Sequence, residues 1–72
     1  MDTYLISLCQ DYAAAVEAMR GGHYDAETLR ALDSERQILH RQLAEYAGLS
    51  LSEDAYRYAR NVLHAARAGG YR

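Results

Sequence analysis

Five glycines at only three places, Gly21-Gly22, Gly48 and Gly69-Gly70, interrupt a 72-residue chain that contains no proline. Glycine and proline are the strongest breakers of regular structure, so the segments between these places have no internal stop. They are filled mostly with alanine, leucine, arginine and glutamate, all good helix formers. The chain therefore reads as helix nearly throughout. Each glycine site follows an apolar-periodic run, where a left-handed residue commonly closes a helix.

The starts agree with the stops. Asp25 is placed to cap a second helix, with Tyr24 and Leu29 as its hydrophobic staple. Ser52 repeats the device with Leu51 and Tyr56, and Ser50 with Glu53 forms an alternative capping box that begins the third helix two residues earlier. The expectation is one all-α domain spanning the chain, with helices over 3–20, 26–47 and 53–68 and a frayed tail over 69–72. Glu53 and Asp54 open the third helix and Arg60 and Arg67 lie toward its end, matching the helix dipole. Glu53 is also spaced to pair with Arg57.

The second helix carries a narrow apolar stripe, Leu29, Leu32, Leu39, Leu43 and Tyr46, with Arg36 where an apolar residue would continue it. The first is apolar over most of its circumference: Leu5, Leu8, Cys9, Tyr12, Val16 and Met19 form one stripe, and Tyr4, Ile6, Ala13 and Ala15 widen it. Its polar strip is Ser7, Gln10, Asp11 and Glu17. The third sets Ala55, Tyr58, Val62 and Ala66 on one line and Tyr56, Ala59 and Leu63 on an adjoining one. Such helices require contacts on more than one side. A chain this short builds a marginal core, and the usual remedies are disulfides, a metal or self-association. A lone Cys9 forms no internal disulfide, which leaves self-association. The expected architecture is a three-helix bundle, or an extended helical hairpin plus a third helix, assembled as a homodimer through Tyr4, Leu8, Tyr12 and Leu63.

A formal net charge of -2 speaks against a general nucleic-acid binder. The positive charge is all arginine, which a GC-rich coding sequence explains as well as any demand for guanidinium groups. The start lacks the basic region of a signal peptide, and charged residues break every apolar run short of a membrane span, so a cytoplasmic location without membrane attachment is expected. No phosphate cradle, nucleophile elbow or helical zinc-protease motif is present, and no catalytic residue, cofactor or metal is assigned. His23, His40 and His64 sit in a loop and on two helices, with Cys9 on another, a spread without metal-ligand spacing. His40 and His64 read as outer-face residues, and Cys9 as a small buried hydrophobe.

Leu43-Ala44-Glu45-Tyr46-Ala47-Gly48-Leu49-Ser50 resembles the first helix and turn of a helix-turn-helix, with a small residue four before the turn glycine. The pattern then breaks, because Asp54 and Arg57 occupy later positions that should be buried. Tyr56-Arg57-Tyr58-Ala59-Arg60 mixes aromatics and arginines as interface hot spots do, and Tyr56, Arg57 and Arg60 are the expected partner contacts. The functional expectation is a non-enzymatic, dimeric helical module that binds and modulates another protein, such as an adaptor, an antitoxin-like protein or a phage or plasmid accessory protein. The alternative is a small DNA-binding regulator that uses the third helix through a degenerate helix-turn-helix.

Overall fold

The structure, a computed structural model, describes residues 2–50 and 52–69. It contains three helices, α1 (Thr3–Gly21), α2 (Ala26–Ala47) and α3 (Ala55–Ala68), and no strand among the described residues.

An aspartate opens each helix. Asp2, Asp25 and Asp54 hold extended backbone conformations, and their carboxylates accept from the N–H groups of Leu5, Thr28 and Arg57 at 3.0, 2.7 and 3.0 Å. Each bond satisfies a donor that a helix N-terminus otherwise leaves unpaired. Asp25 is the cap expected from the sequence. For α3 the expectation is corrected: the cap is Asp54 rather than Ser52 or Ser50, and the helix starts at Ala55. The two serines are engaged elsewhere, their hydroxyls 3.1 Å apart, while the Glu53 N–H donates to the Ser50 carbonyl in a turn that precedes the helix. Glu53 thus lies outside α3, and it makes no ion pair with Arg57 among the described residues. Leu51, the staple partner expected for Tyr56, lies outside the described residues.

The helix ends differ from one another. Among the described residues only Gly48 takes the left-handed conformation expected at the three sites (φ 74°, ψ 32°). The N–H groups of Gly48 and Leu49 both donate to the Ala44 carbonyl, which closes the last turn of α2. Gly22 is extended, and α1 is finished instead by Tyr24, whose hydroxyl reaches back to the Ala18 carbonyl at 2.8 Å. Gly69 caps α3 with an N–H to the Ala65 carbonyl and a negative φ. The rest of the expected frayed tail, residues 70–72, lies outside the described residues.

The arrangement is a helical hairpin with a third helix laid against it. α1 is the middle element, packed by α2 on one side and α3 on the other, while α2 and α3 barely meet. This explains why α1 is apolar over so much of its circumference. Leu8, Cys9, Tyr12 and Val16 of α1, Leu43 of α2 and Ala55 and Ala59 of α3 form one buried cluster. The polar strip of α1, Ser7, Gln10, Asp11 and Glu17, is exposed. On α3 the buried positions, Ala55, Ala59 and Ala66, are all alanine, and small side chains let helix axes approach closely. Along α2 only Leu43 is buried; Leu39 packs partly on the cluster, and Leu29 and Tyr46 remain exposed.

The result is flat and elongated, 41 × 25 × 18 Å, with a radius of gyration of 12.9 Å against about 11 Å for a typical compact chain of this length. Its accessible surface of 5229 Å² exceeds the ~4,500 Å² of an average folded monomer of 8.1 kDa.

Candidate interaction surface

The Tyr-Arg segment of α3 meets α1 around one carboxylate. Glu17 accepts from the Tyr56 hydroxyl at 2.7 Å and lies 3.8 Å from the Arg60 guanidinium. Arg20, one turn further along α1, stacks over the Tyr56 ring at 4.7 Å. The bond to Glu17 holds the Tyr56 phenol above its usual pKa. Two of the expected partner contacts, Tyr56 and Arg60, therefore help clamp α3 to α1. Arg57, the third, is fully on the outside with Asn61, His64 and Arg67.

The expected dimer-interface residues divide as well. Leu8 and Tyr12 are each 5% exposed inside the chain's own core, so they have no surface left for a second copy. Tyr4 is exposed and Leu63 half-buried. Tyr4 packs edge-on against Tyr46 with ring centroids 4.8 Å apart, and the Tyr46 hydroxyl donates to Asp2 at 2.5 Å. That bond lowers the Asp2 carboxyl below its ordinary value and raises the Tyr46 phenol.

Two polar arrangements were not evident in the sequence. His40 is not an outer-face residue: it is half-buried against α1, its Nδ1 3.3 Å from the Tyr12 hydroxyl and its ring edge-on to the tyrosine. Arg36, which interrupts the apolar stripe of α2, turns its Nε and one terminal nitrogen onto Asp33 at 3.0 and 2.9 Å, while Gln37 donates to the other oxygen at 2.6 Å. These bonds, Arg36 first, keep the Asp33 carboxyl low, and Asp33 in turn raises the Arg36 guanidinium. Local spacing could have indicated Asp33, Arg36 and Gln37, which lie at i, i+3 and i+4. The Tyr12–His40 contact joins residues 28 apart and leaves no local signal.

Cys9 is fully buried, and burial pushes its thiol pKa up, the opposite of what a reactive thiolate requires. Among the described residues no group of three or more His, Cys, Asp or Glu side chains is placed to hold a metal ion, and no helix is long and apolar enough to cross a membrane.

The concave surfaces are open grooves, some between helices and one along α2. On the side of the α1–α2 pair where the polar strip of α1 emerges, a groove of about 320 Å³ is lined by Asp11, Ala14, Ala15 and Ala18 of α1 and by Leu32, Glu35 and Leu39 of α2. Another face of α2 forms a shallower groove of about 540 Å³ from Arg36, Gln37, His40, Arg41, Ala44 and Glu45, closed by Leu49. No protein-family model, no curated protein and no solved structure matches this chain.

Proposed function

We propose that this chain is a small, non-enzymatic helical module that binds and modulates another protein, acting in the cytoplasm as a homodimer and without a cofactor. The observation that carries the reading is the apolar surface the chain leaves uncovered. Tyr4, Tyr24, Leu29, Ile38 and Tyr46 are between 40% and 58% exposed, on a molecule whose total surface already exceeds that of an average monomer of its mass. Tyr4 and Tyr46 adjoin edge-on and form the start of an apolar patch; contiguous exposed apolar surface marks sites of association, and a standard protein interface removes about 800 Å² from each partner. Tyr4 and Leu63 are retained as self-association contacts and Arg57 as a partner contact; Tyr56 and Arg60 reach a partner only at the margin of their bonds to Glu17.

Sedimentation equilibrium of the pure chain over a concentration series tests the homodimer. A mass twice that of the chain supports it, and a single 8.1 kDa species at all concentrations overturns it.

A second reading is DNA binding by α3, favoured by the outward row of Arg57, Asn61, His64 and Arg67, all exposed. Against it, Asp54 sits at the N-terminus of α3, where recognition helices meet phosphates. Gel-shift titration at low salt decides: retardation that weakens steeply with added salt supports this reading, and none at micromolar protein removes it.

A further inference from the structure

The groove between α1 and α2 has a chemistry that selects an occupant. Three alanines, Ala14, Ala15 and Ala18, line its α1 wall with short side chains, and Leu32 and Leu39 line the α2 wall. Leu32, Leu39, Ala15 and Ala18 are half-buried, so they present apolar surface while still anchored in the fold. The only charged groups lining it are two carboxylates, Asp11 on one wall and Glu35 on the other. Both are exposed, and neither has an ion-pair partner among the described residues. No arginine or histidine lines this groove, whereas the grooves elsewhere along α2 carry Arg36, His40 and Arg41, or Arg30.

We infer that this groove is the docking site for a basic amphipathic helix of a partner protein. The apolar ridge of such a helix lies between the alanines of α1 and Leu32 and Leu39 of α2, and lysines or arginines flanking the ridge reach Asp11 and Glu35. Laying an amphipathic helix into an apolar groove is a recurring mode of recognition, and flanking charges set which helix is accepted. A second copy of the chain is a poor occupant on charge grounds, because a two-fold contact through this face brings the same carboxylates together. The basic outer face of α3 carries only Ala65 and Ala68 as apolar residues and supplies no ridge. The inference rests on the protein-binding reading and specifies the site and the kind of partner.

The test uses the full chain, isotopically labelled, and two synthetic amphipathic peptides of about five helical turns. Both have the same leucine ridge, flanked by lysine in one and by glutamate in the other. The lysine peptide is expected to bind at least about tenfold more tightly at low salt, with the difference shrinking as salt is added. Amide shifts should concentrate on Ala14, Ala15, Ala18, Leu32 and Leu39. The double variant Asp11→Lys with Glu35→Lys, at exposed positions that leave the core intact, should reverse the preference; circular dichroism confirms that it is folded. Equal binding of the two peptides, or shifts centred on Arg36 and Arg41, overturns the groove assignment and leaves the protein-binding reading standing. Groove shifts that follow protein concentration alone identify a second copy as the occupant and overturn it equally. A chain that binds neither peptide and stays monomeric overturns both the assignment and the homodimer reading.

Discussion

At Gly48 a single backbone angle closes α2, and the space around it is open: a Cβ built there meets no atom within 4 Å. The cost of Gly48→Ala is therefore purely that of holding an L-residue at positive φ, about 1 kcal/mol, and Gly48→Asn should recover part of it; urea titration of the two variants checks this. Gly22 behaves in the opposite way. Its own conformation suits any residue, but the Tyr24 ring occupies the space a Cβ would take. Gly22→Ala should displace that ring from the Ala18 carbonyl and destabilise the end of α1 to the same extent as Tyr24→Phe, read as faster amide exchange over the last turn of α1. Titration has its own residue-scale signature. Folding lowers the carboxyls of Asp2, through Tyr46, of Asp25, through Thr28, and of Asp33, through Arg36, below 3.8, so their contributions are present above that pH and are lost as pH falls through the folded values. Tyr46 and Tyr56 are shifted upward in the folded state, so the stability they add is present below 10 and disappears as pH rises through their folded values. Thermal melts across pH should fall off on both sides, and Asp2→Asn should weaken the acid dependence.

At the scale of the helix, burial is distributed unequally. α2 is held by one fully buried side chain, so Leu43→Ala should cost about 2–5 kcal/mol, much of what a small domain possesses; loss of the helical circular dichroism signal at room temperature is the expected readout. α3 is held by small residues, so enlarging one is what harms it. Ala59→Leu should cost about 1–3 kcal/mol by forcing α3 away from α1, while the same change at exposed Ala65 should be nearly neutral. Helix existence and extent were readable from glycine placement and apolar period. The α3 start was not, because Ser50 and Ser52 fit the capping pattern as well as Asp54 does, and only the structure shows the serines bonded to each other and to the preceding turn while Asp54 accepts from the Arg57 N–H. The breadth of the apolar surface on α1 signalled two neighbours, but the sequence does not say whether they lie within the chain. That is why Leu8 and Tyr12 read as dimer contacts and proved to be core. The groove with Asp11 and Glu35 draws on residues 24 positions apart, and only the α1–α2 packing brings them together.

For the molecule as a whole, a flat sheet of helices buries less surface than a globule of the same mass. Its urea m-value should lie near the low end for small proteins, about 1 kcal/mol per molar. If the homodimer forms, the unfolding midpoint should rise with protein concentration, since association stabilises only the folded state; a midpoint independent of concentration contradicts it. The central position of α1 also fixes an order of events during synthesis. This helix leaves the ribosome before either of the segments that cover it, and it is the most apolar of the three around its circumference. At typical translation rates its two sides stay bare for a few seconds until α2 and then α3 follow. The nascent chain thus passes through a stage in which its stickiest segment is not yet covered by the two helices that later flank it.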